Sequence, residues 1–332
     1  MGENNFISNK KSVISSLLLV LTALVWGVGF VAQSAGSKHV QPFTFSCVRF
    51  LISSAALFVV VLIKKRFEKP VQYTPEEKRK AKKTLIVSGI ITGVFLCLGT
   101  NLQQIGITLG ASAGKAGFLT ATYIIMVPIL SLIIFRKKCA FNVWLGVVIS
   151  LVGLYLLCMT EDFRFELSDI ILLLCALAFS FQILFIDRYV AAADAIKMSC
   201  VEFLVCGILS AIPMFFAETL KDFNAWAETL KTSDAWLPIL YAALISGGFG
   251  FTLQAIVQKN VAPARASLIM CFESVFGALS GWIILGQVMS SKEIIGSALM
   301  FIAIVLSQLE LTQLIKRKGK GVAETEKGNT EN

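Results

Sequence analysis

Three ionisable side chains lie deep inside strongly apolar stretches of this 332-residue chain: Arg49, Glu202 and Glu273. A charge surrounded by hydrocarbon is costly, so such residues mark solute or ion pathways, proton relays or buried pairs. Arg49 and Glu202 also occupy the same place in a repeated stretch. Phe45-Ser-Cys-Val-Arg-Phe-Leu51 and Met198-Ser-Cys-Val-Glu-Phe-Leu204 share five of seven residues and differ at the charged position by sign. Neutral polar side chains accompany them in other apolar runs: Trp26, Asn101, Gln103, Tyr123, Gln182 and Gln254. These groups direct hydrogen bonds and carry charge without being nucleophiles, so the chemistry they suit is recognition and movement of a solute. Glu273 suits a cation or proton site. Arg49 and Glu202 suit gates, or charges that fix the bundle by satisfying backbone carbonyls, waters or a neighbouring helix.

The elements that must position these residues are membrane helices. The chain is 56% apolar and 15% charged, with a mean hydropathy of +0.77, whereas a soluble domain carries about a quarter charged residues. A span needs roughly 20 apolar residues. Ten stretches qualify: 13–35, 42–63, 84–107, 114–135, 141–159, 168–187, 195–217, 236–257, 264–286 and 292–315. Arg49 then sits about 10 Å in from one end of span 2, at 1.5 Å per residue. Glu202 lies as far in from the opposite face on span 7, and Glu273 falls near the middle of span 9.

The repeat extends beyond the heptapeptide. Leu102-Gln103 and Leu253-Gln254, and Gly146 and Gly296, recur at the same separation of roughly 150 residues, which marks one unit built twice. Residues 13–160 form the first five-helix unit and 161–315 the second, flanked by a tail over 1–12 and a disordered tail over 316–332. Because five is odd, the second unit crosses the membrane in the opposite sense, the inverted repeat of many secondary transporters. A cytoplasmic N-terminus leaves six of the 30 basic residues outside: Lys38, Lys115, Arg164, Lys221, Lys231 and Lys292. Arg49 lies within a span and the remainder fall inside, so the positive-inside rule places both termini in the cytoplasm.

The net charge of +9 is explained by these basic connections, and nucleic acid is not an expected partner because no basic soluble domain is present. Of eight cysteines, seven fall in apolar runs and Cys139 in a basic loop, which reads as buried small hydrophobes. Gly110-Ala-Ser-Ala-Gly114 matches the G-x-S-x-G nucleophile elbow. That elbow needs a strand, turn and helix at the top of a sheet, and here the motif joins two membrane spans. A single histidine, His39, excludes an HExxH zinc site, and no glycine-rich phosphate loop follows a strand. No enzyme activity and no cofactor are expected.

Thr74-Pro75-Glu76-Glu77 reads as a capping box with proline at the first helical position, opening a short basic surface helix ahead of span 3. Phe223, Trp226 and Leu230 share one helical face in the connection 218–235 and suit a helix lying at the membrane surface. Small residues at helical spacing (Gly89 and Gly93; Gly106, Gly110 and Gly114; Ser246 and Gly250; Gly277 and Gly281) allow close helix packing.

The order of motifs also resembles a known family. Trp26-Gly27, Pro42 followed by Arg49-Phe50, the run Ser112 to Thr120, Val127-Pro128, Trp144-Leu145-Gly146 and Gly153-Leu154-Tyr155-Leu156-Leu157 together resemble the drug/metabolite transporter superfamily, EamA type. The resemblance covers residues 13–315. It implies an all-α integral membrane fold of ten helices in two inverted five-helix repeats, around a cavity lined mainly by helices 1, 3, 4, 6, 8 and 9. It also implies export of small metabolites or amino acids, by exchange or proton coupling, from a bacterial inner membrane. Where many members have Glu-Pro in helix 9 this chain has Glu273-Ser274. Where many end that helix in Gly-Glu it has Gly286-Gln287, with Lys137 at the matching place in the first half.

The expectation is therefore a multi-pass transporter working by alternating access. Trp26, Gln103, Tyr123, Gln182, Gln254 and Glu273 would contact a small-molecule substrate, and Arg49 and Glu202 would act near the gates. The lipid bilayer, protons or a counter-substrate are its other partners, and it would act as a monomer or homodimer. The alternative is a non-transporting receptor or scaffold, or a passive channel.

Overall fold

The computed structural model describes residues 2–67, 74–111, 113–158, 166–285 and 288–308, and these residues are helical apart from short turns. In the first half, α1 (Gly2–Gly36), α2 (Pro42–Phe67) and α3 (Pro75–Thr108) are followed by α4 (Ala113–Ala121), α5 (Tyr123–Phe135) and α6 (Phe141–Cys158). The second half holds α7 (Leu167–Tyr189), α8 (Ala195–Pro213), α9 (Phe223–Lys231), α10 (Ser233–Leu240), α11 (Thr252–Gln258), α12 (Pro263–Met270), α13 (Glu273–Leu285) and α14 (Ser291–Gln308). Two π-helical stretches, Met214–Thr219 and Tyr241–Phe251, continue α8 and join α10 to α11.

Among the described residues nine helices are long and apolar enough to cross a membrane, from Lys11–Gly36 to Pro263–Ile284. The expected tenth is helical over Ser291–Gln308, and its remaining residues lie outside the described part, as do the tail from 316, Gly286-Gln287 and Ser112 of the elbow-like motif. The lipid-facing sides carry exposed apolar residues such as Phe58, Val148, Ile208 and Phe301. The core between the helices is built from Leu19, Phe50, Leu96, Ile124, Leu154, Phe203 and their neighbours.

Helix pairing respects the duplication. α2 packs on α8 and α6 on α14, each pair joining equivalent elements of the two halves. α1 packs on the Tyr241–Phe251 stretch and on α13, while α7 packs on α3 and α5, the same relation with the halves exchanged. At the α6–α14 crossing the backbones touch. A β-carbon at Gly153 would lie 2.7 Å from the Gly296 carbonyl oxygen, and one at Gly296 would lie 2.5 Å from that of Gly153. Only glycine permits that approach, the small-residue contact typical of helices in lipid. Gly89 and Gly93 of α3 serve the same end against Val201, Val205 and the Glu202 carbonyl of α8.

Several elements differ from expectation. The capping box at Thr74 and Glu77 is present, and its hydrogen bonds hold the Glu77 carboxyl below its ordinary pKa. The basic segment after it, however, is no separate surface helix. It continues unbroken into the span as α3, because Glu, Lys, Arg and Ala are strong helix formers and neither proline nor glycine interrupts them before Gly89. Spans 4 and 9, expected to be continuous, are each interrupted near the middle. Thr122 separates α4 from α5, and Cys271 and Phe272 separate α12 from α13. At both places the ladder tightens to three-residue hydrogen bonds (Ile125 amide to Thr122 carbonyl, 3.0 Å; Ser274 amide to Cys271 carbonyl, 3.2 Å). Pro128 inside α5 further removes a donor from that helix. Span 8 is π-helical over Tyr241–Phe251, where Gly247, Gly248 and Gly250 lower the cost of a widened turn.

The connection after α8 forms the expected short helix, α9. Glu218, just before it, receives the amides of Phe43 and Thr44 (both 2.8 Å) and the Thr44 hydroxyl (2.6 Å). Trp226 of α9 donates its indole N–H to the same hydroxyl at 2.8 Å. A carboxylate from one half thus caps the start of α2 in the other. The cysteines are all free, six of them buried.

Candidate cavity between the two halves

The two interruptions face each other across the centre. Tyr123 is the first residue of α5 and Glu273 the first of α13. They are separated by 150 residues, the same interval that separates the two halves, and the Tyr123 hydroxyl donates to Glu273 Oε1 at 3.3 Å. Equivalent points of the duplicated unit therefore meet. The interruption lets each side chain project at mid-span, the role discontinuous helices play where a membrane protein binds its cargo. Gly27 brings α1 onto the same place: a β-carbon there would lie 2.7 Å from the Glu273 carbonyl oxygen and 2.5 Å from Phe276 Cβ.

Around this meeting point is a narrow cavity of about 40 Å³. Its wall is drawn from both halves: α1, α2, α3, α4 and α5 on one side, and α7, the Tyr241–Phe251 stretch, α11 and α13 on the other. The six side chains expected to contact substrate, Trp26, Gln103, Tyr123, Gln182, Gln254 and Glu273, all line it. Trp26 donates its indole N–H to the Ser246 carbonyl at 3.2 Å. That acceptor lies in the π-helical stretch, and the Trp26 ring packs on Phe251 with centroids 4.6 Å apart. Gln103 donates to the Thr120 hydroxyl at 3.3 Å.

The two remaining glutamines belong to a chain of amides. Gln254 donates to Gln182 Oε1 (3.4 Å) and to Gln258 Oε1 (3.3 Å), and Gln258 donates to the Ile183 carbonyl (2.6 Å). Gln182 then donates to Glu202 Oε1 at 2.9 Å. Glu202 is fully buried behind this chain, with Thr92 of α3 beside its carboxyl. It is not among the groups that line the cavity.

Arg49 does line it. Only 4% exposed, its guanidinium lies 4.7 Å from the Phe50 ring centroid and 5.2 Å from that of Phe45. Its Nε and Nη2 meet no acceptor. The structure thus separates the two charges of the repeated heptapeptide, one opening on the cavity and the other enclosed between α7 and α8. α2 is consequently an additional wall element beyond those the family resemblance implies.

Sequence reading did not assign Phe30, Gln33, Thr100, Thr120, Phe179, Ile183 or Phe251 to the site and took Ser246 only as a packing residue; these complete the wall. Gln33 could have been found, as an amide one helical turn from Phe30 inside an apolar run. Phe30, Phe179 and Phe251 could not, because 25 phenylalanines are scattered through the sequence and nothing local distinguishes a cavity-facing ring. No group of three or more histidine, cysteine, aspartate or glutamate side chains that could hold a metal occurs among the described residues.

An all-helical bundle with multiple apolar spans and a central cavity walled by polar and aromatic side chains is a multi-pass membrane protein of the transporter class. The chain belongs to the EamA-like transporter family, whose model matches it twice, over residues 13–159 and 167–309. Both matches coincide with the two halves described above. Among similar proteins, one from Archaeoglobus fulgidus, named an uncharacterized transporter, is 26% identical over 301 residues, covering 91% of this chain and 88% of its own. The uncharacterized transporters YoaV and YdfC of Bacillus subtilis are 23% and 25% identical, covering 87% and 92% of this chain and 94% and 95% of their own. A solved crystal structure shares the fold with a TM-score of 0.69 at 17% identity, covering 89% of this chain and 98% of its own.

Proposed function

We propose that this membrane transporter is a secondary carrier that exports or exchanges a small polar or amphipathic metabolite, of the amino-acid size class, by alternating access. The observation that carries this reading is the meeting of Tyr123 and Glu273 at matched interruptions of the two halves, inside a cavity to which both halves contribute walls. An inverted repeat places such a site on its own pseudo-symmetry axis. Rocking one half against the other then exposes the same residues alternately to each face. At about 40 Å³ the cavity is well below the size of an open small-molecule site, so this conformation is closed around the site and rocking must widen it to admit a solute.

Within this reading Trp26, Gln103, Tyr123, Gln182 and Gln254 orient the solute and Glu273 supplies a negative charge to a cationic group or a proton. The cavity is complete within one chain, so a monomer suffices. Both termini in the cytoplasm fit the distribution of basic residues, and a bacterial inner membrane fits the family and the short connections.

Counterflow in proteoliposomes tests the proposal. Vesicles preloaded with a broad pool of amino acids and small metabolites are expected to show saturable, trans-stimulated uptake of one solute class, which Glu273→Gln lowers by about tenfold or more, a transition-state loss of ~1.4 kcal/mol. Flux that neither saturates nor responds to the internal pool identifies a passive channel instead. Flux untouched by Glu273→Gln removes Glu273 from the site.

A further inference from the structure

We infer that Arg49 is the anion receptor of this cavity, and that the solute it holds carries a carboxylate. The inference rests on the carrier reading above and deepens it by naming the charge of the cargo. Its basis is a mismatch in the charge pairing of the bundle.

Several other charges of the bundle have charged partners. Asp169, fully buried, receives Lys115 at 2.8 Å, Lys137 meets Asp187 at 2.7 Å and Lys64 meets Asp194 at 3.0 Å. Arg49 is buried more deeply than the lysines of these pairs, yet among the described residues no carboxylate lies within 4.0 Å of it and two of its nitrogens have no acceptor. Tyr123 occupies one oxygen of Glu273, and Gln182 occupies one of Glu202.

A guanidinium does not escape this situation by losing its proton. Removing it from water is costly, and the neighbouring rings of Phe45 and Phe50 return only part of that cost as cation–π attraction. An anion entering the cavity would meet a charged, planar fork of donors whose desolvation has already been met. A carboxylate matches that fork with two parallel, charge-assisted hydrogen bonds. The rings of Trp26, Phe30 and Phe251 on the same wall suit an apolar or aromatic body on the solute. The enclosed Glu202, with the same heptapeptide around it, is the internal control: a charge of this repeat that does not reach the cavity.

The test uses the full chain in detergent or nanodiscs with three matched probe pairs: 3-phenylpropionate, phenylalanine and leucine, each against its own carboxamide. Binding is read from tryptophan fluorescence and thermal stabilisation up to about 10 mM, where an affinity of ~1 mM already saturates. At least one acid is expected to bind roughly ten- to hundredfold more tightly than its amide, as for a site whose buried donors would otherwise stay unpaired. Arg49→Gln should bring the pair to near parity and Arg49→Lys should give an intermediate ratio, while Glu202→Gln keeps the wild-type ratio.

Amides that bind as well as acids, an acid preference that survives in folded Arg49→Gln, or a set in which no acid binds would each overturn the assignment. If Arg49→Gln does not fold, the Arg49→Lys ratio decides: an unchanged preference overturns the proposal. Flux of the amides as fast as the acids in proteoliposomes overturns the anion role and leaves the carrier reading standing. Acid binding lost in Arg49→Gln with no flux of any probe supports the receptor and removes the carrier reading.

Discussion

The segments Phe45–Leu51 and Met198–Leu204 are nearly the same sequence in the same type of helix, and they pack against each other. Phe50 and Phe203, their equivalent aromatic residues, lie with centroids 5.7 Å apart. Yet Arg49 opens on the cavity with unpaired donors, whereas Glu202 is sealed and tied to α7 through Gln182. The difference lies in what stands behind each helix. Beside α2 is the π-helical stretch Tyr241–Phe251, whose Ala243 carbonyl accepts the Ser53 hydroxyl at 2.7 Å and whose Phe251 contributes to the cavity wall. Beside α8 is α3, which approaches through Gly89 and Gly93 until its backbone meets the Glu202 carbonyl. A duplicated motif therefore supplies two charges at equivalent depth, and unequal neighbours make one a wall of the cavity and the other a tether.

The comparison can be broken most severely where the two helices touch. A β-carbon at Gly207 of α8 would lie 2.7 Å from Leu51 Cδ2 and 3.1 Å from the Leu51 amide nitrogen. Gly207→Leu should cost at least about 1–3 kcal/mol by overpacking, read as a lower melting temperature and a loss of monodisperse protein. Arg49→Gln should lower carboxylate counterflow by about a hundredfold, an effect of ~2.8 kcal/mol, with little change in melting temperature. Glu202→Gln keeps an acceptor for Gln182 and should leave counterflow within about threefold of wild type, ~0.7 kcal/mol. A large flux defect in that variant would show that the tether is part of the transport site after all.

The smallest effect belongs to the hydrogen bond between the two repeats. The Ser54 hydroxyl donates to the Cys200 carbonyl at 2.9 Å, and Ser54→Ala should lower stability by about 0.5–1.5 kcal/mol, checked by thermal unfolding in detergent.

The fold was largely legible because apolar length and an internal repeat are strong signals in membrane chains. The candidate cavity was legible through residue type: a glutamine, tyrosine or carboxyl inside a span has few places to go except inward. Less legible were the interruptions at Thr122 and at Cys271-Phe272, since no glycine or proline marks either position and tertiary packing decides them. The π-helical course of Tyr241–Phe251 was equally hidden, although its three glycines are compatible with it. Nor could the sequence distinguish the surroundings of Arg49 from those of Glu202, because the flanking residues are the same. Their separation depends on which helices lie behind them.

The most direct measurement is the two-sided accessibility of the cavity itself. Thr120 lines it from α4 and is 1% exposed, so Thr120→Cys places a small thiol on its wall. The wild-type protein, with its native cysteines, gives the background. A membrane-impermeant maleimide applied to right-side-out and to inside-out vesicles should label this position from both faces, and the solute pool that drives counterflow should slow both reactions. Labelling confined to one face under every condition, or labelling from both faces that the solutes leave unchanged, would contradict alternating access through this cavity.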